Sequence, residues 1–131
     1  MPKDVHLADL QLAIMQVLWD RAEATVADVR DALEEAGRKL AYTTVATMLT
    51  KMEKSGHVAR ESHGRVLTYR PRIRRDQVSR SMVTDLAQKL FRGDLETMVS
   101  HLLEGCDVDQ DELVRLKKLI RQKEREVKGD E

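Results

Sequence analysis

The stretch YTTVATMLTKMEKSGHVARESHGRVLTYRP, residues 42–71, changes its period halfway along, and that change decides the fold. In the first half Val45, Met48, Leu49 and Met52 recur at helical spacing and form one apolar stripe. The opposite side carries Thr43, Thr44, Thr47, Thr50, Lys51 and Lys54 and no apolar residue. Threonine is a middling-to-poor helix former, so four of them on one helix face ask for a reason beyond propensity. The helix starts near Tyr42 and ends at Ser55-Gly56. The second half reads as two short strands, 58–62 and 66–70, around His63-Gly64-Arg65, a three-residue connection with a glycine that signals a hairpin. Leu67 and Tyr69 fall on one face of the second strand, and Val66, Thr68 and Arg70 on the other. Pro71, which has no amide proton, ends the pairing.

Two amphipathic helices precede this stretch. In LADLQLAIMQVLW, residues 7–19, Leu7, Leu10, Ile14, Val17 and Leu18 lie on one side, with Met15 and Trp19 widening that face. TVADVRDALEEA, residues 25–36, opens with Thr25 and has Asp28 three residues on, a capping-box pattern. Val26, Val29 and Leu33 follow at helical spacing, and Gly37 is a C-terminal stop. Three helices followed by a hairpin is the order of a winged helix-turn-helix domain, whose second and third helices make the helix-turn-helix unit. Residues 1–73 are assigned to it.

Beyond Pro71 the chain is helical again. Val78, Met82, Leu86 and Leu90 recur every fourth residue over 76–91. Leu95, Met98, Val99, Leu102 and Leu103 crowd 94–104, with glycines at 93 and 105 on either side. Asp109 and Glu112 resemble a second cap, with Leu113, Leu116 and Ile120 behind it. Helices of about a dozen residues are marginal alone, so these apolar faces need a partner. Residues 74–131 are therefore expected to form a helical dimerisation region, its charged tail KEREVKGDE frayed. The expected fold is mainly α with one small β-hairpin.

The totals exclude several classes. Aromatic residues are 3% of the chain, too few large rings for an all-β core. No apolar run approaches the ~18 residues of a membrane span, and MPKDVHLADLQ lacks the apolar stretch of a signal peptide. One cysteine allows no intrachain disulfide. A cytoplasmic protein is expected. Net charge is zero but unevenly spread. Residues 1–37 carry −5, residues 38–80 carry +8 with 11 basic side chains, and residues 81–131 carry −3. A basic block inside a neutral chain suggests a surface for an anionic ligand.

The polar face of 42–54 has the chemistry of a DNA reader. The major groove of B-DNA admits one helix, and its base edges are read by short polar side chains and by Arg, Asn and Gln. A threonine hydroxyl donates or accepts, and its methyl suits the thymine methyl. Thr43, Thr44 and Thr47 cluster in the first turn and a half, the part of such a helix that enters the groove. Tyr42 sits at the entry, and Lys51 and Lys54 lie where phosphates would pass. The hairpin adds Arg60, Arg65 and Arg70.

The same run resembles the DNA-binding domain of the BlaI/MecI/CopY family of bacterial repressors. LADLQLAIMQVLWDRAEATVADVRDAL resembles that family's first two helices, and FRGDLETMVSHLLEGCDVDQDELVRLKKLI its C-terminal dimerisation region. The resemblance spans about Leu7 to Ile120. It implies a homodimeric transcriptional repressor on an inverted-repeat operator in double-stranded DNA. In penicillinase-type members it also implies a membrane-bound sensor zinc protease that responds to β-lactam and cuts the repressor in its C-terminal region, a link to antibiotic resistance. The family's cut aligns with His101-Leu102, where penicillinase repressors resemble one another in having Asn-Phe and this chain does not. Copper-responsive members carry paired cysteines near the C-terminus. This chain has only Cys106, so copper sensing by that route is not expected.

Taken without the resemblance, the residues leave two other readings open. One is a small-molecule-responsive winged-helix regulator with a pocket among the 76–103 helices. The other is a winged helix that binds protein rather than DNA. His6, His57, His63 and His101 show no metal-ligand spacing, and no metal or cofactor is expected. His63, near the hairpin tip, is placed to touch phosphate when protonated. Cys106 has Gly105 and Asp107 beside it and no cationic neighbour to activate it. No nucleophile motif, phosphate loop or carboxylate pair points to an enzyme.

Overall fold

The computed structural model describes residues 7–129, so His6 lies outside the described residues. Three helices open the chain: α1 (Asp9–Arg21), α2 (Val26–Glu35) and α3 (Tyr42–Lys54). A hairpin of β1 (Val58–His63) and β2 (Val66–Pro71) follows, then α4 (Arg75–Phe91), α5 (Leu95–Gly105) and α6 (Gln110–Gly129). This is the winged helix-turn-helix order, with a helical C-terminal region. Among the described residues no helix is long and apolar enough to cross a membrane.

The chain divides into two compact units, one reaching Asp85 and the other starting at Leu86. In the first unit the apolar stripes of the three helices meet. Ile14, Met15 and Leu18 from α1, Val29 and Leu33 from α2, and Val45, Leu49 and Met52 from α3 are buried together. Val58 and Tyr69 close this core from the hairpin. Burying a Val, Leu, Ile or Met side chain contributes roughly 1.5–3 kcal/mol, so this cluster dominates the unit's stability.

The local signals act as read. The Thr25 hydroxyl accepts from the Asp28 amide at 3.0 Å, and the Asp28 carboxylate accepts from the Thr25 amide at 3.0 Å. Two of the four orphan amides at the start of α2 are thereby satisfied. Past α2, Gly37 takes φ 95°. The Arg38 amide then reaches back to the Leu33 carbonyl at 2.8 Å, the Schellman closure.

The first strand runs one residue further toward the tip than expected, and the second one residue further at its other end. His63 pairs with Val66, so the connection is the two residues Gly64-Arg65 rather than three. Gly64, first of the pair, takes φ 69°, the sign a primed two-residue turn needs there. Pro71 is the last ladder residue, opposite Val58. Backbone bonding continues one step further, the Arg72 amide donating to the His57 carbonyl at 2.9 Å. Ala24, in the turn between α1 and α2, adds a one-residue strand beside β2. It exchanges backbone hydrogen bonds with Tyr69 at 3.0 and 2.8 Å.

Leaving the hairpin, the chain is tied back to α1. The Trp19 indole donates to the Ile73 carbonyl at 2.9 Å. The Arg75 guanidinium lies 5.4 Å from the Trp19 ring centroid and pairs with Asp20 at 2.8 Å. The first turns of α4 then join the core: Val78 is buried in it and Met82 packs against it. Val78, expected on a partner-facing surface, is 2% exposed and has little area left for a second chain, whereas Met82 is only partly buried. The division between the two compact units falls inside α4, between Asp85 and Leu86.

The second unit holds the end of α4 with α5 and α6. Arg92 and Gly93, at φ 52° and 81°, turn the chain between helices, and the Gly93 amide donates back to the Ala87 carbonyl at 2.9 Å. Asp94 caps α5 by accepting from the Thr97 amide at 3.1 Å, and Asp109 caps α6 by accepting from the Glu112 amide at 2.8 Å. Met98 is buried, whereas α6 buries no residue. The charged stretch 123–129, read from sequence as a frayed tail, continues α6 as helix.

Candidate nucleic-acid interface

α3 starts without a side-chain cap. Its N-cap is Ala41, so Thr43 and Thr44 have no capping role. The Ala41 carbonyl accepts from Thr44 and Val45 at 3.1 and 3.2 Å. Val45, Leu49 and Met52 turn into the core, and this rotation fixes Thr43, Thr44, Thr47, Thr50 and Lys51 on the exposed side. Thr43, Thr44, Thr47, Met48 and Lys51 line one shallow depression there. A helix some 10–12 Å across matches the ~12 Å major groove, so this face can meet base edges.

The four threonines are not equivalent. Thr50 donates its hydroxyl to the Ala46 carbonyl at 3.0 Å. Thr43, Thr44 and Thr47 make no side-chain hydrogen bond among the described residues. Their hydroxyls are exposed and available to a ligand.

The basic block is thinner than its formal charge. Arg38 is paired with Asp9 at 2.6 Å, Arg60 with Glu53 at 3.6 Å and Arg70 with Glu61 at 3.6 Å. Arg74 pairs with Asp76 at 3.2 Å and Arg75 with Asp20 at 2.8 Å. Lys51, Lys54 and Arg65 are exposed and form no ion pair among the described residues. Arg65 stands at the hairpin tip, beyond the last paired residues. Of the sequence candidates these three are the cations most open to phosphate, while Arg60 and Arg70 share theirs with a carboxylate.

Tyr42 is half exposed at the start of α3, and Arg30 of α2 lies 5.9 Å from its ring centroid. Arg30 also holds Asp31 at 3.1 Å. Sequence reasoning did not single out Arg30. It sits outside the basic block, and only the α2–α3 packing brings it beside Tyr42.

His63, though exposed, is turned toward two carboxylates. Its Nε2 is 3.0 Å from the Glu23 carboxylate and 3.9 Å from that of Glu61. Thr68 on β2 donates its hydroxyl to the same Glu23 oxygen. The Thr68 hydrogen bond, helped by His63 and Arg70, holds the Glu23 carboxyl below its ordinary range.

In the second unit the remaining dimer-face candidates are largely open. Leu90 and Leu95 are each 66% exposed, and Leu86, Val99, Leu102, Leu103, Leu116 and Ile120 are also exposed. Leu95, Val99, Leu103 and Ile120 line a shallow apolar groove. Leu113 is half-buried and Met98 buried. His101 stacks edge-on to Phe91, centroids 5.3 Å apart, so the His101-Leu102 bond lies inside α5. Cys106 is exposed and unpaired.

Comparison with known proteins places the chain in a family and agrees with its fold. Residues 7–122 match the penicillinase repressor family. The chain is 36% identical to the transcriptional regulator BlaI of Mycobacterium tuberculosis, over 88% of its own length and 84% of that protein. It is 24% identical to the penicillinase repressor of Bacillus licheniformis, over 92% and 93% of the two chains. Among solved structures, the DNA-binding domain of the repressor BlaI matches with a TM-score of 0.50 and 27% identity, covering 59% of this chain and 93% of that one. The monomeric form of Bacillus licheniformis BlaI in complex with the blaP half-operator gives the same figures.

Proposed function

This chain belongs to the penicillinase repressor family, a family of DNA-binding transcriptional repressors, and from that premise we propose that it acts as a homodimer on an inverted-repeat operator in the cytoplasm. The observation that carries the reading is the exposed face of α3, where three threonine hydroxyls and Lys51 are held outward with no internal partner. Thr43, Thr44 and Thr47 read base edges. Tyr42, Lys51, Lys54, Arg60 and Arg65 hold phosphates, and Arg65 does so from the wing. Phosphate contacts set the register of the helix on the duplex, and base contacts supply the sequence preference.

Dimerisation uses the second unit. Leu86, Leu90, Leu95, Val99, Leu102, Leu103, Leu116 and Ile120 are exposed there, a collection of large apolar side chains that water does not favour. A second copy covering them spaces two reading helices for two half-sites, which a two-fold dimer needs about one helical turn apart.

Repression is relieved by a membrane-bound sensor zinc protease cutting at His101-Leu102. That bond is inside α5, so cutting needs α5 to unwind locally. The cut would split Val99 from Leu102 on one apolar face and so weaken the dimer.

Selection of bound duplexes from a random pool, at near-physiological salt, tests the reading. An enriched inverted repeat is the expected result. Weak binding that enriches no sequence and vanishes as salt rises would overturn it.

A further inference from the structure

The wing carries a group of side chains that the DNA reading does not use. Glu23 comes from the turn between α1 and α2, and Glu61 and His63 come from β1. One donor atom from each lies within 4.8 Å of the other two. We propose that Glu23, Glu61 and His63 hold one divalent transition-metal ion of the zinc type, clamping the wing to the turn after α1.

Distances carry the proposal. Donors about 2.0–2.2 Å from a tetrahedral zinc stand roughly 3.4 Å from one another. The His63 Nε2 to Glu23 separation is 3.0 Å and that to Glu61 is 3.9 Å, on either side of this spacing. All three side chains are exposed, so small rotations close the remaining gap, and water can complete the coordination. The donor set names the metal class. An imidazole nitrogen with two carboxylates suits zinc, whereas calcium and magnesium take oxygen ligands.

A further shell is in place. The Thr68 hydroxyl donates to the Glu23 oxygen that faces His63, and the Arg70 guanidinium lies 3.6 Å from Glu61. Such outer partners orient ligating carboxylates. Glu23 also precedes Ala24, whose backbone pairs with Tyr69 of β2. The ion would therefore add a second tie between two segments already joined at one point, nearer to the Arg65 tip. Its effect on DNA binding rests on the repressor reading, but the ion itself is measured without DNA, so the two fail separately.

The test is calorimetric titration of the purified full chain with zinc chloride, checked by competition with a chromophoric chelator. The expected result is one zinc per chain, bound micromolar in the wild type and in Cys106→Ser. Glu23→Gln and His63→Gln, each verified as folded by circular dichroism, should lose it. Thr68→Val should weaken it by about tenfold, the lower end for loss of an outer partner. Zinc should also slow amide exchange across residues 58–71. Absence of saturable binding in the wild type overturns the site, as does binding that survives in both Glu23→Gln and His63→Gln or that disappears in Cys106→Ser.

Discussion

The Thr50 hydroxyl donates to the Ala46 carbonyl one turn back along α3, at 3.0 Å. A hydroxyl bonded to its own helix in this way has left the competition for an external partner. Thr47, on the same face and exposed, has no such bond among the described residues. Thr47→Ala should therefore change which base is preferred at one operator position, by up to the roughly 1–3 kcal/mol that one mismatched base pair costs, and Thr50→Ala should leave the preference as it was. Repeating the duplex selection with both variants checks this. An unchanged preference in Thr47→Ala would mean the reading face is misassigned.

Cations without an internal partner should behave differently from those with one. Lys51→Ala and Arg65→Ala should weaken binding to every sequence alike and flatten the salt dependence by about one unit each. Arg38 is engaged with Asp9 at 2.6 Å, and Arg38→Ala should leave the slope nearly unchanged. Binding isotherms across a salt series separate the two classes.

Two apolar substitutions distinguish core from interface. Val78 is buried in the core of the first unit. Val78→Ala should destabilise the fold by about 1–3 kcal/mol, through two lost methyl groups and the cavity they leave, without changing stoichiometry. Leu102 is 53% exposed on α5. Leu102→Glu should leave the melting temperature of the first unit alone and give monomers by sedimentation. A dimer that persists in Leu102→Glu places the interface elsewhere.

The cap of α2 has a pH signature. Hydrogen bonds from the Thr25 amide and then the Thr25 hydroxyl hold the Asp28 carboxyl below its ordinary value. A depressed carboxyl contributes stability that is fully present above the unfolded value, near 3.9, and lost as the pH falls through the lower folded value. Asp28→Asn should flatten that acid limb. Thr25→Ala should lower stability by about 1 kcal/mol at neutral pH. An acid limb that is unchanged in Asp28→Asn would show that other carboxylates set it.

Much of the first unit was legible in the chain because its cues are local. The stripe Val45, Leu49 and Met52, the Thr25–Asp28 cap and the Gly37 stop each act within one or two turns of helix, and each is found where the spacing put it. The family was legible for the same reason, since its likeness lies in an ordered series of such segments. The hairpin tip was misjudged by one residue, on the first strand only. Period two marks which face a residue takes but not where pairing stops, and the stop was settled by Gly64 adopting a positive φ. The repeat Val78, Met82, Leu86, Leu90 is continuous in sequence, but the environment along α4 changes from core at Val78 to exposed surface at Leu86 and Leu90, which periodicity does not show.

The sequence by itself determined the helices, the hairpin, the stripes that the first three helices bury and the face α3 leaves to the outside, because these follow from periodicity and from turn chemistry over short spans. Only the tertiary structure decided which charges remain available, because an ion pair such as Arg75–Asp20 joins residues 55 positions apart. It alone brought Glu23 within 3.0 Å of His63, 40 positions along the chain. No spacing rule encodes that meeting. It arises because Ala24 pairs with Tyr69, folding the turn after α1 against the wing.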